Sequence, residues 1–385
     1  MSQKDEERAL PAGSSTPPDS AVSPKVPRFH ELGGPTRLLL PLALAAIVIF
    51  GMRYAAGILT PLFVALFLTM GMSPALYWLR RKGVATWLTV VIVLVVVVIL
   101  GLIFIGVLAS MIIQVQDKLP VYKTNLIQVQ QDVSAWFAQR NIDIGGLTSG
   151  SLSGDKIFNY ASSILGSMLS SMKNVFLMVL IVLFMVSEVY AIPRRMTENS
   201  GMSETFRRAF ANFSDVTRSY LFTKAWMGAI VAVFVTAVYY LFGVDFALFW
   251  GLIFFVLSFI PNIGFVLSVI PPFFVTLLEF GFVRALIVVL LVIVVNGIVD
   301  NVLAPRIMGR SVGLSSLTVL ISVFFWGWVF GGIGALISVP LTLMVKLLFF
   351  DSFESTQGIS AIMATPVIGA KSGRRRRGRR GIRAR

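Results

Sequence analysis

Hydrophobic positions in this chain run in long blocks rather than in the alternations of a soluble fold. Charge-free runs cover 26 residues at 54–79, 34 at 83–116, 33 at 246–278 and 35 at 311–345. A helix needs about 20 apolar residues to cross a bilayer, so each run is long enough to span. The pattern predicts eight main apolar segments, at roughly 38–53, 54–76, 84–113, 173–192, 219–243, 246–275, 282–300 and 314–350. The sixth and eighth exceed one straight span and hold internal Gly and Pro, which predicts broken or bent helices. The expected fold is all-α, a polytopic helical integral membrane protein of about eight transmembrane segments.

Polar stretches divide the chain. Residues 1–36 are rich in Pro, Ser and Gly and too polar to bury a core, which predicts a disordered arm. A transmembrane domain is expected over 37–350 and a basic tail over 351–385. The first apolar stretch begins only near Leu38, so no cleavable signal peptide is expected. Between spans three and four, 114–172 forms a long loop. Its apolar residues Ile113, Leu119, Tyr122, Leu126, Val129, Val133, Trp136 and Phe137 recur at mostly helical spacing, and a Gly/Ser-rich stretch separates them from a second amphipathic segment at 155–171. That predicts a helical hairpin, either covering a pathway or packed as a connector. Lys and Arg concentrate at Arg80, Arg81, Lys82, Arg194, Arg195, Arg207, Arg208, Arg218, Lys224 and the tail, whereas the basic residues of 114–172 are balanced by acids. By the positive-inside rule, 114–172 lies outside and both termini are cytoplasmic.

Composition narrows the chemistry. Of 385 residues, 56% are hydrophobic and 13% charged, far from a soluble average. The net charge of +15 is mostly the tail, where 371–385 carries nine basic residues and no acid. Beside a membrane such a tail suits anionic lipid better than nucleic acid, and no nucleic-acid partner is expected. With no cysteine and only His30, in the polar arm, thiolate or histidine metal sites and cysteine nucleophiles are excluded from the bilayer. No Gly-rich phosphate loop exists, and Asp245 and Asp300 stand near span ends rather than deep in facing helices, so an enzyme is not expected and no cofactor is implied.

Polar groups beside lipid are costly and therefore become the candidates. In and after span seven stand Asn296, Asp300 and Asn301, the first two four apart on one helical face. Asp300 with Asn296 suits a cation or polar substrate, or else an interhelical clamp with Arg306 or Arg310. Glu188, Asp245 and Glu279 read as interfacial charges or helix-end caps, with Asp245 opening span six and Glu279 closing it. Two segments interrupt helices: Phe259-Ile260-Pro261-Asn262-Ile263-Gly264, followed by Pro271-Pro272, and the stretch from Asp300 to Leu314. The first breaks a span at depth, as substrate sites of secondary transporters do. The second puts Arg306 and Arg310 on the side counted as external, against the positive-inside pattern, and predicts a re-entrant or interfacial element. Span eight then carries Gly327, Gly331, Gly332, Gly334 and Pro340.

At these segments the sequence resembles the autoinducer-2 exporter (AI-2E) family of permeases. The resemblance rests on Pro261-Asn262-Ile263-Gly264 with Ile270-Pro271, on Asp300-Asn301-Val302-Leu303 with Pro305, Met308-Gly309-Arg310 and Gly313-Leu314, and on Phe330-Gly331-Gly332-Ile333-Gly334-Ala335 with Val339-Pro340. The order and spacing hold across roughly 40–350. Departures fall at Asn262, where the family pattern expects an aromatic residue, at Phe265, often proline, and at Ser315-Ser316, in place of a His-Pro-like pair.

The resemblance implies an eight-span inner-membrane protein with cytoplasmic termini that exports a signalling molecule or, in some relatives, exchanges cations for protons. It also implies homo-oligomers, pentamers among them. The positions carried over are Pro261, Gly264, Asp300, Asn301, Pro305, Gly309 and Arg310, joined by Asn262 and Asn296 as pathway candidates. The leading expectation is a secondary transporter exporting a small polar metabolite. A sodium or potassium/proton antiporter stands as the alternative, and a membrane scaffold without transport as the reading from another class.

Overall fold

A computed structural model describes residues 34–139, 163, 180–182, 184–185, 203–303, 313–351, 358 and 362–363. It divides after Gly51 into two compact units, and the helical core, hairpins and cavities lie in the second, from Met52 onward. The described elements are α1 Gly34–Tyr54, α2 Ala56–Arg81, α3 Thr86–Ala138, α4 Glu204–Leu241, α5 Ala247–Leu257, α6 Ile263–Phe280, α7 Phe282–Ile298, a wider π-type turn Val299–Leu303, α8 Ser316–Leu336 and α9 Ser338–Val345. Six described helices are long and apolar enough to cross a membrane, and the described residues contain no strand. The protein is a polytopic helical membrane protein, as the hydropathy pattern predicts. Span four lies mostly outside the described residues, as do the second half of the 114–172 loop, Glu188 and the tail 371–385.

Span three and the amphipathic helix after it form one continuous element. α3 runs for 53 residues, about 80 Å, and so extends well beyond a bilayer of about 30 Å. α4 is the spine of the fold. Its buried Met227, Val231, Val235 and Tyr239 recur every four residues and so make one apolar stripe. Against that stripe pack Leu108 and Met111 of α3, Phe249, Trp250 and Phe254 of α5, Val269 of α6, and Val288 and Val292 of α7. Close approach of α4 and α5 depends on small residues. A Cβ at Gly251 would overlap the Thr236 hydroxyl of α4, and one at Gly228 would overlap the Ser258 hydroxyl. Large apolar side chains facing away from this core, such as Val233, Phe234 and Trp87, are exposed, as a lipid-facing surface requires.

The sixth segment corrects the expectation of a broken through-span. Asp245, before α5, and Glu279, near the end of α6, both reach the same Lys118 ammonium, at 2.9 and 3.0 Å. The chain therefore reverses between them, and α5 and α6 form a helical hairpin. Rings from the two arms meet beside the turn, with Phe254 and Phe265 6.1 Å apart. Hydropathy cannot distinguish this from a kinked span, because both arms are apolar.

The eighth segment reverses as well. Trp326 Nε1 donates to Thr342 Oγ1 at 2.9 Å, although the two residues would be about 24 Å apart in a straight helix. The turn is Gly331, at φ 71° and ψ −161°, a conformation open essentially to glycine alone. Gly334 follows it tightly, since a Cβ there would overlap the Trp326 carbonyl and stand 2.7 Å from Phe330 Cβ. Ser315 caps α8, its hydroxyl accepting from the Thr318 amide at 3.2 Å, which gives the Ser315-Ser316 departure a local structural role.

Candidate functional site at the hairpin tip

The tip of the α5–α6 hairpin is built by residues that cannot continue a helix. Pro261 has no N–H to donate, and Asn262 takes φ 62° and ψ −49°, the rare and strained conformation at the centre of a γ-turn. The Ile263 amide then donates to the Pro261 carbonyl at 2.7 Å and the Gly264 amide to the Ile260 carbonyl at 3.1 Å, which closes the turn. Gly264 has to be glycine for packing, because a Cβ there would overlap the Leu257 carbonyl oxygen and lie 2.8 Å from its carbon.

Beside this tip is a cavity of about 460 Å³. Its polar lining comes from three elements: Thr223 and Lys224 on α4, Ser258 and Asn262 at the tip, and Asn296 and Asp300 on α7 and the π-type turn. Asn296 Nδ2 donates to Asp300 Oδ2 at 3.0 Å, as their four-residue spacing predicts. Lys224 is half-buried in the same lining, within electrostatic reach of Asp300, and makes no hydrogen bond or ion pair among the described residues. The cavity thus offers a cation, a carboxylate, two carboxamides and two hydroxyls in a space of the size that small-molecule sites occupy. It can both donate to and accept from a polar solute.

Of the residues singled out by sequence, Pro261, Asn262, Asn296 and Asp300 line this one cavity. Gly264 supports the turn from behind. Asn301 faces its own helix instead, its Nδ2 donating to the Gly297 carbonyl at 2.9 Å. Pro305, Gly309 and Arg310 lie outside the described residues, as does Arg306. Sequence reasoning missed Lys224 as a cavity residue and counted it only among loop charges. The signal was present, since Lys224 is the one charge between Tyr220 and Leu241 in span five.

A second polar cluster also escaped notice. Lys118 lies 2.9 Å from Asp245 and 3.0 Å from Glu279, and Tyr122 donates to Asp245 at 2.6 Å. Glu279 is therefore ion-paired rather than a helix-end cap, and it stands at the same end of the bundle as Asp245 instead of opposite it. The hydrogen bonds that Lys118 donates to Asp245 and Glu279 hold its ammonium above the ordinary lysine range. Burial, then the Asp245 bond, pushes the Tyr122 phenol up as well. Both side chains keep their protons through neutral pH.

Comparison with known proteins agrees with this architecture. Residues 38–351 match the model of the AI-2E family transporter. The chain is 32% identical to the AI-2 transport protein TqsA of Escherichia coli (strain K12), over 85% of this chain and 94% of that protein. It is 30% identical to "Putative transport protein YhhT" of the same organism, over 84% and 92%. A match across nearly the whole transmembrane region, with the interrupted segments forming turns and a polar cavity, places this membrane protein in the AI-2E family of transporters.

Proposed function

We propose that the protein is a secondary transporter that exports a small polar metabolite or signalling molecule, with the cavity at the hairpin tip as its binding site. The observation that carries this is the convergence of Lys224, Asn262, Asn296 and Asp300 from three separate elements on one cavity of about 460 Å³. Polar side chains within membrane helices are expensive unless they serve a pathway or pair with one another, and here they face a common space. The relative TqsA is named for AI-2 transport. Two of the departures from the family pattern, Asn262 and Phe265, line the cavity, which supports a different polar substrate for this chain.

The test is solute counterflow in proteoliposomes. A candidate solute is first chosen by the rise in melting temperature that it gives the purified protein, which grows with its concentration over its dissociation constant. Counterflow above that of protein-free vesicles is the expected result, and equal flux in the two overturns the proposal. Asp300 paired with Asn296 also suits cation exchange. That reading is selected if Na⁺ alone, without organic solute, dissipates a pH gradient in the same vesicles.

The proposed orientation places both termini in the cytoplasm of a bacterial inner-membrane protein. The two hairpins are consistent with it, because each removes one crossing from the eight expected segments and the number that remains is still even. With Asp245 and Glu279 at one end, α7 runs back toward the opposite face, and Arg306 and Arg310 no longer count against the positive-inside pattern. Because the chain is free of cysteine, single cysteines report sidedness cleanly. In intact cells an impermeant thiol reagent should label a cysteine at Gln128 and leave one at Arg207 unlabelled. The reverse pattern would invert the topology.

A further inference from the structure

The polar cluster at the other end of the α5–α6 hairpin has no part in the tip cavity. Lys118 and Tyr122 stand four residues apart on α3, on one face. Lys118 Nζ donates to Glu279 Oε1 at 3.0 Å and lies 2.9 Å from Asp245 Oδ2, and the Tyr122 hydroxyl donates to the same Oδ2 at 2.6 Å. One turn of α3 thus grips both roots of the hairpin, the entry to α5 and the end of α6. Each root is flanked by a glycine in the left-handed region, Gly243 at φ 69° and Gly281 at φ 81°. Two points of backbone freedom therefore sit beside the two points of attachment.

Next to these contacts, between α3 and the hairpin root, is a second cavity of about 350 Å³. Ser110 and Gln114 of α3 and Tyr240, Asp245 and Ala247 on the other side line it. The ion-paired cluster is not fully satisfied, because Glu279 Oε2 is buried without a hydrogen-bond partner among the described residues. One ammonium serves two carboxylates, and Lys118 itself is 42% exposed. Such contacts hold the root but are screened by salt and give way more readily than a buried core.

We propose that Lys118, Tyr122, Asp245 and Glu279 form a gate, in which release of Lys118 lets the hairpin root part from α3 and widens the 350 Å³ cavity at that end of the bundle, from an opening at the exposed Tyr240 and Leu248 inward to the buried Ala247. What passes the gate rests on the transporter reading. The opening does not, since it is measured on purified protein without any flux.

Ala247 is the reporter, being 5% exposed and lining the second cavity. Ala247→Cys is placed in the full chain, and its rate of reaction with a soluble maleimide is measured in detergent. Adding Lys118→Gln should raise that rate about tenfold, since both charged contacts are lost. Tyr122→Phe, which removes only a hydroxyl and keeps the ring, should raise it about threefold. Salt at 1 M, where the screening length falls to about 3 Å, should speed labelling with Lys118 present and add nothing in Lys118→Gln. A cysteine at Val339, 2% exposed and in the other hairpin, should not respond to any of these changes. Equal Ala247→Cys rates in low and high salt and in Tyr122→Phe overturn the gate even if Lys118→Gln fails to fold. A parallel rise at the Val339 position also overturns it, because it reports general loosening. Faster labelling together with absent counterflow would keep the gate and reject the transporter reading.

Discussion

Gly264→Ala destabilises the purified protein by at least about 3 kcal/mol and removes transport, whereas Gly332→Ala changes stability by no more than about 0.5 kcal/mol. The difference follows from what a methyl group would meet. At Gly264 it would overlap the Leu257 carbonyl, backbone against backbone, where nothing flexible can move aside. At Gly332 nothing lies within 4 Å and φ is not positive, so an alanine fits. In the second hairpin the sensitive position is instead Gly334, which is pressed against Trp326 and Phe330. From sequence alone Gly264 and Gly332 look equivalent, each a glycine in a helix-breaking cluster. Melting temperature and counterflow for the three alanine variants decide the matter. A Gly264→Ala protein with unchanged melting and flux would refute the tip geometry.

Asp300→Asn should bring gradient-driven transport down to the level of protein-free vesicles, with expression and melting temperature unchanged. Asp300 is exposed to the cavity and receives one hydrogen bond, from Asn296, which a carboxamide at position 300 can also accept. Local structure therefore survives, while the charge that would bind a cation or hold a polar substrate is gone. A structural clamp with Lys224, Arg306 or Arg310 predicts the opposite. The single variant would then melt lower, and part of the loss would return on neutralising the partner, as in Asp300→Asn combined with Lys224→Gln, because an unpaired charge near lipid is costly. Melting temperature and flux for the singles and doubles separate the two roles. Full activity and stability in Asp300→Asn would eliminate both.

The spans themselves were legible because hydropathy is a local property. The runs around α2, α3, α4 and α7 each carry enough apolar residues to cross, and the structure has helices there. The stripe on α4 is likewise a local periodicity. Reversal is not local. Pro261 and Gly331 announce a break, yet a kinked span and a hairpin differ only in which distant residues meet. Lys118 and Glu279 are 161 residues apart, and nothing between them in sequence shows that they pair. The same limit hid Lys224, whose meaning depends on Asn262 and Asp300 lining the same cavity. By contrast, Asn296 and Asp300 were paired correctly, since a four-residue spacing on a helix brings two side chains together wherever that helix is placed.

α3 also holds Pro120 two residues beyond Lys118, inside an otherwise unbroken helix. Proline removes one rung of the backbone ladder and is a usual cause of a bend. From there the helix continues to Ala138, about 27 Å further on. A bend of about 10° at Pro120 would sweep that far end through about 5 Å. The projecting part of α3 is thus a lever arm with its pivot beside the lysine, and a load on residues 121–138 acts on the Lys118 contacts with mechanical advantage.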